Sequence, residues 1–250
     1  MSIRGTAERL THHLVLRRRL PEPFRDVRIR VSSEAGLRYL KPSLRHVDPS
    51  LLGLVDEFVK PGAVVWDIGA NVGLFAFAAA HRAGREGRVI AVDPDAYNVG
   101  LLRRSAAGQP ATSAEVTVVP CAISDRTGVV SFQIAARNRS TNAMVGYGTT
   151  QMGGVREVQT VPTLTLDLLA DFFPSPDVIK IDVEAAEIAA LSGASRVLAK
   201  RPIILCEVAG ETAEGVAEIL RPLGYHFYDG DKPSPRSAVG LPPVSLVALA

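Results

Sequence analysis

The sequence predicts an α/β fold built on a mostly parallel sheet with helices on both faces. Three observations carry that expectation. From residue 63 onward, continuous apolar runs of strand length alternate with helical stretches. The first of these runs ends in a turn with Gly69, Asn71 and Gly73, and a helix follows. The next run ends on an acid, Asp93, 24 residues after Gly69.

The elements follow in order. Residues 1–50 are irregular and rich in Arg and Pro, with a short helix expected near 6–19, a strand near 26–31 and a helix after Pro49. Ala63–Ile68 reads as a strand and Leu74–Arg82 as an Ala-rich helix. Arg88–Asp93 is a strand, Ala96–Ala106 a helix and Glu115–Cys121 a strand. Asp177–Val183 is another strand, with one helix over Ala185–Ala199. Pro202–Val208 is a strand and Thr212–Pro222 a helix. Strand-like pieces at Tyr225–Tyr228 and Val244–Leu249 close the chain. Between Val129 and Pro162 the alternation breaks, and two strands flank a polar stretch rich in Gly, Asn, Ser and Thr. That stretch is expected to be an inserted hairpin with a mobile loop near the site mouth.

Composition narrows the class. The 250 residues are 47% hydrophobic and 22% charged, which excludes disorder of the whole chain. The net charge of +2 gives no global electrostatic case for a nucleic-acid or membrane partner. Its distribution is uneven: residues 1–50 balance to +6 and residues 51–250 to −4. This divides the chain into a basic N-terminal arm or cap, 1–50, and a mildly acidic body, 51–250. The two cysteines, Cys121 and Cys206, sit in apolar strand-like runs and read as buried thiols of a reducing, cytoplasmic compartment. No apolar run approaches the ~20 residues of a membrane span, and Leu14–Leu16 is too short for the core of a secretion signal.

The turn after the first strand argues for a particular cofactor chemistry. A dinucleotide fingerprint would need Gly at 69, 71 and 74, but Asn71 and Leu74 break it. Gly-x-Asn-x-Gly instead resembles the first motif of Rossmann-like S-adenosylmethionine (SAM) methyltransferases. Asp67 and Asp93 end successive strands around this turn. Asp93 can accept hydrogen bonds from ribose hydroxyls. Helix capping is the bland alternative for both acids.

The string DVIKIDVEAAEIAALSGA, Asp177–Ala194, is the most specific in the chain. It places Lys180, Asp182, Glu184 and Glu187 around the end of an apolar strand, where charges need partners or a cleft. With WDIGANVG, VIAVDPDAYN, AISDRTG, LDLL and IILCEV, it resembles the FkbM-type methyltransferase family over roughly residues 50–250. Lys180, Asp182, Val183, Glu184 and Glu187 match that family's fourth-strand motif, while Ala185 stands where the family has Gly. Asp93 stands where many relatives carry Glu.

The resemblance implies a class I Rossmann-like fold: a seven-stranded, mostly parallel sheet with one antiparallel strand, here with an N-terminal extension. It implies SAM as cofactor and O-methylation of a hydroxyl on a small molecule, such as a sugar, glycolipid or polyketide-type product. Asp67, Gly69, Asn71, Gly73, Asp93, Asn98 and Ala122 are then the candidate cofactor-binding residues. Asp182 is the first catalytic candidate, for orienting the sulfonium or the acceptor or acting as base. Glu184 is the second, for contact with an acceptor hydroxyl. Lys180 reads as a neutralising partner of these acids, and Glu207 as a further residue that could face the cleft. Asp182 and Glu184 would suit Mg²⁺, but no third ligand is evident, so no metal is expected.

Three rival functions stand beside this reading. A nucleic-acid or protein N-methyltransferase is disfavoured by Asp-Val-Glu at the fourth strand end and by 6% aromatic content. A non-catalytic SAM-binding module would bind without turnover. A nicotinamide-linked oxidoreductase is opposed by Asn71 and Leu74. The basic first 50 residues carry no recognised motif and read as a cap over the acceptor side or an oligomer contact.

Overall fold

The structure, a computed structural model, describes residues 14–35, 37–136, 139–147 and 154–250. It opens with an antiparallel pair, β1 (Val15–Arg19) and β2 (Arg28–Ser32). The helix expected near 6–19 is therefore a strand over 15–19; its earlier part lies outside the described residues. The Arg-rich run gave no strand signal, yet Ile29 and Val31 of its partner alternate into the core.

Helix α1 (Pro49–Phe58) starts on Asp48, whose carboxylate accepts from the Leu51 amide at 3.1 Å, with Pro49 in the first turn. Then come β3 (Val64–Ile68), α2 (Leu74–Ala83), β4 (Arg88–Val92), α3 (Ala96–Ala106) and β5 (Glu115–Val119). Short β6 (Ala122–Ile123) leads into β7 (Gly128–Ala135), β8 (Ala143–Met144) and β9 (Val155–Leu164). Next are α4 (Leu166–Leu169), β10 (Val178–Ile181), α5 (Glu187–Ser192), α6 (Ser195–Leu198), β11 (Ile203–Glu207) and α7 (Ala213–Leu220). Strands β12 (His226–Asp229), β13 (Ala238–Val239) and β14 (Ser245–Leu249) complete the chain.

The main sheet has the order β13-β12-β14-β11-β10-β3-β4-β5. It holds eight strands rather than the seven expected, because two-residue β13 adds to the edge beyond β12. Strand β14 runs antiparallel between β11 and β12, and β13 is antiparallel to β12, so two strands oppose the rest. The centre, β11-β10-β3-β4-β5, is parallel throughout.

Two-residue alternation sends side chains to opposite faces. Val65, Val89 and Val178 join a core with α1, α2, β2 and part of α3. Trp66, Ile90 and Ile179 join the other, with α4 to α7. Leu20, Phe24 and Ile29 lie in the first of these cores, so the N-terminal segment packs as a layer on the body. The expected single helix over 185–199 is broken at Gly193. A side chain there would meet the Ser124 carbonyl, and Asp167 caps the new helix by accepting from the Arg196 and Val197 amides.

The insertion forms a second sheet, β6-β9-β7-β8, around the antiparallel pair β7 and β9. Phe132, Ile134, Met144 and Val161 give it a small core of its own. The loop at 148–153 lies outside the described residues.

Candidate functional site

The parallel strands β3, β4 and β10 end together, and the glycine turn, Asp93 and Asp182 meet there. A cleft of about 600 Å³ opens at this edge. Gly69, Asn71, Asp93, Asn98 and Ala122 line it, together with Asp182 and Glu184. Asp67 and Gly73 do not; they act from behind the wall.

Gly69 has φ +76, and a side chain on it would overlap the Asp182 backbone carbonyl. Gly73 has φ +87 and starts α2 where a side chain would meet Phe77 and Leu102. Asn71, at φ 51, donates its amide to Asp93 Oδ2 at 2.7 Å. Asp93 Oδ1 accepts from the Asp95 amide at 2.9 Å and from Asn98 Nδ2 at 3.4 Å. Asp93 thus ties the glycine turn to the start of α3. Burial and the neighbouring Asp95 push its carboxyl up to about 7.

Asp67 is fully buried beneath the turn, and burial raises its pKa against the pull of Lys180, whose Nζ is 3.4 Å from Oδ1. Lys180 Nζ also donates to the Gly69 carbonyl and to Asp182 Oδ2, both at 3.0 Å. Burial opposes its charge, but Asp182 and Asp67 hold its pKa above the ordinary value. Lys180 therefore locks the turn to the end of β10 as a permanent cation. That fits the structural part given to it in the sequence.

Asp182 borders three cavities. Besides the first cleft it lines one of about 700 Å³, with Ser50, Glu207 and Ser245, and one of about 790 Å³, with Glu184, Glu187 and Glu207. Glu184 and Ala185 both take left-handed backbone, φ 41 and φ 64. Burial, then Asp182, Glu207 and Glu187, push the Glu184 carboxyl up to about 7. Glu187 turns back on its own helix start, accepting from the Ala185 amide at 2.9 Å and from Thr212 Oγ1 at 2.7 Å. Glu207 faces the same space as Asp182, which raises its pKa. His46 and His226 line none of the three cavities.

The insertion supplies wall residues that sequence reasoning missed. Phe132, Arg139, Asn142 and Met144 all border the first cleft. Their only sequence signal was an arginine within a polar stretch already assigned to the site mouth. Among the described residues, no group of three or more His, Cys, Asp or Glu side chains is arranged to hold a metal ion.

The first cleft suits a nucleoside cofactor by its unfilled polar capacity. Asn71 Oδ1 and Asn98 Oδ1 are buried on its wall without hydrogen-bond partners among the described residues, and the Asp93 carboxylate lines the same cleft. Fold and cleft define a Rossmann-like α/β protein with its site at the carboxyl ends of the parallel strands. The sequence model of the methyltransferase FkbM domain matches residues 67–227, and the chain belongs to that family. The hexuronic acid methyltransferase AglP of Haloferax volcanii is 25% identical over 178 residues, covering 69% of this chain and 67% of that protein. Among solved structures, precorrin-6y C5,15-methyltransferase of Geobacter metallireducens has a TM-score of 0.46 at 14% identity, covering 81% of this chain and 86% of that one. Magnesium protoporphyrin IX methyltransferase of Synechocystis, solved with bound SAM, has a TM-score of 0.42 at 17% identity, with coverages of 82% and 78%. No helix among the described residues is long and apolar enough to cross a membrane.

Proposed function

We propose that this protein is a SAM-dependent O-methyltransferase acting on a hydroxyl of a small polyhydroxylated molecule, a sugar or glycosylated product. The observation that carries the reading is the position of Asp182, which borders the cofactor cleft and two further cavities at once. Such a residue can orient a donor on one side and an acceptor on the other.

When bound, SAM supplies an electrophilic methyl carbon and departs as a neutral thioether. The remaining work is orientation and removal of the hydroxyl proton. Asp93, Asn98, Asn71, Gly69 and Ala122 bind the cofactor, and Asp67 and Gly73 hold the turn that carries Gly69 and Asn71. Asp182 orients the reacting groups. Glu184, with a carboxyl near 7, takes the hydroxyl proton at neutral pH.

The acceptor-side cavities favour neutral hydroxyl compounds. Their walls carry Asp182, Glu184, Glu187 and Glu207 against the cation Lys180, and the hydroxyls of Ser50 and Ser245. Carboxylates and serine hydroxyls accept hydrogen bonds from sugar hydroxyls, while an acidic acceptor meets repulsion. The relative named for hexuronic acid supports a sugar acceptor but an acidic one, so the preference for neutral compounds rests on the wall charges alone. The described part of the N-terminal region, from residue 14 on, would act as a cap on this body, and the two buried free thiols suit a reducing cytoplasm.

The test is transfer of labelled methyl from SAM to a panel of neutral sugars, uronic acids and glycosylated polyketides. Labelling of neutral hydroxyl compounds above uronic acids supports the reading. Labelling only of amines, protein or nucleic acid would contradict it.

A further inference from the structure

Arg139 stands in the insertion, 44 residues from Asp95 and 105 from Glu34, yet it touches both. Its Nη1 donates to Asp95 Oδ1 at 2.9 Å and Oδ2 at 2.7 Å, and its Nε donates to Glu34. The guanidinium lies over the Tyr97 ring, 4.7 Å from the centroid. Its side chain is 9% exposed, against 4% for Glu34 and 1% for Asp95. Two more side chains brace this cluster. Asn142 Nδ2 donates to Asp95 Oδ2 at 2.9 Å, and Arg156 Nη1 donates to Glu34 at 2.8 Å.

The placement matters because Arg139 also borders the first cleft, between Phe132, Met144 and Asp93. Three separate stretches of chain meet on it: the N-terminal segment through Glu34, the start of α3 through Asp95, and the insertion itself. Asp95 is in turn one residue pair away from the site, since its amide donates to Asp93. Charged groups this buried hold one geometry only while all of them are paired. Opening the insertion would strip Glu34 and Asp95 of the guanidinium together.

We propose that Arg139 is the latch of the cofactor cleft: it fastens the insertion across the nucleoside end through Glu34 and Asp95, and so sets how long the cofactor is held. The proposal rests on the reading of this cleft as the cofactor site. Arg139 is a positioning residue, and closure around the nucleoside is its role.

The test uses the full chain and S-adenosylhomocysteine, the demethylated product, as probe. Its dissociation rate is measured for wild type, Arg139→Gln, Glu34→Gln and the double variant. Glu34 lines none of the three cavities, so its substitution reaches the cofactor only indirectly, and the double variant with Arg139→Gln separates the part that runs through Arg139 from the part that runs through Arg156. Arg139→Gln is expected to speed release by about tenfold or more, and Glu34→Gln by a smaller factor. The double variant should be no faster than Arg139→Gln alone, because one latch cannot be lost twice. Arg139→Lys, which keeps the charge, should recover part of the retention. Amide exchange in residues 128–136 should be slowed by the probe in wild type and far less in Arg139→Gln. If Arg139→Gln fails to fold, Glu34→Gln alone decides by its release rate. Release within twofold of wild type in the variants, or effects that multiply independently, would overturn the latch and leave the cofactor reading standing. Wild-type protein that does not bind the probe would overturn both.

Discussion

The backbone carbonyl of Asp182 occupies the space into which a side chain on Gly69 would project. The glycine turn that lines the cleft and the end of β10 that carries Asp182 are therefore packed backbone to backbone. Lys180 ties the same two points through the Gly69 carbonyl and the Asp182 carboxylate. Gly69→Ala must separate them while also placing alanine at φ +76. Overpacking and left-handed backbone together predict a loss of about 2–4 kcal/mol in chemical denaturation. Cofactor-product binding should weaken with it.

If Asp93 holds the cofactor ribose, cofactor affinity should depend on pH. Its carboxyl is held near 7 by burial and Asp95, and only the ionised form accepts from both ribose hydroxyls. Affinity for S-adenosylhomocysteine should fall below pH 7, by at most about tenfold per pH unit. Asp93→Asn should bind weakly and without that dependence. Calorimetry between pH 5.5 and 8 reads both, and a flat wild-type profile would speak against the assignment.

Glu184 predicts an activity profile and a stability profile of opposite sense. As proton acceptor it must be ionised, so methyl transfer should rise through about pH 7. Its folded pKa is raised above the unfolded value, so the folded state binds the extra proton. Stability is then lost as pH rises from the unfolded value of 4.5 through about 7. Glu184→Gln should abolish the activity limb and raise Tm at pH 8, with little change at pH 4. Turnover kinetics and thermal melts at the two pH values check this.

Ala185 takes left-handed backbone at the position where the family motif that the sequence resembles has glycine. At φ 64 an alanine pays for a conformation that glycine adopts freely. Ala185→Gly should stabilise the protein by about 0.5–1 kcal/mol, after the greater chain entropy of glycine in the unfolded state is subtracted. Urea denaturation of the pair of proteins measures it.

The parts readable in the sequence are the local ones. Gly69, Asn71 and Asp93 lie within 24 residues, and the buried parallel strands around them announce themselves as apolar runs. The fourth-strand acids were readable because charge at the end of such a run is conspicuous. What escaped is set by distant contacts. The break at Gly193 sits where the Ser124 carbonyl leaves no room for a side chain, and β1 forms by pairing with β2. The Arg139 cluster joins residues 105 positions apart within a stretch that has no period to read.

The most direct test of the account is the Asp182→Asn variant, measured once for S-adenosylhomocysteine affinity and once for labelled methyl transfer. Asparagine keeps the shape and removes the charge that pairs with Lys180. If Asp182 serves the junction between donor and acceptor, turnover should fall by about 100-fold or more, with affinity changed far less. Normal turnover with merely weaker binding would contradict it.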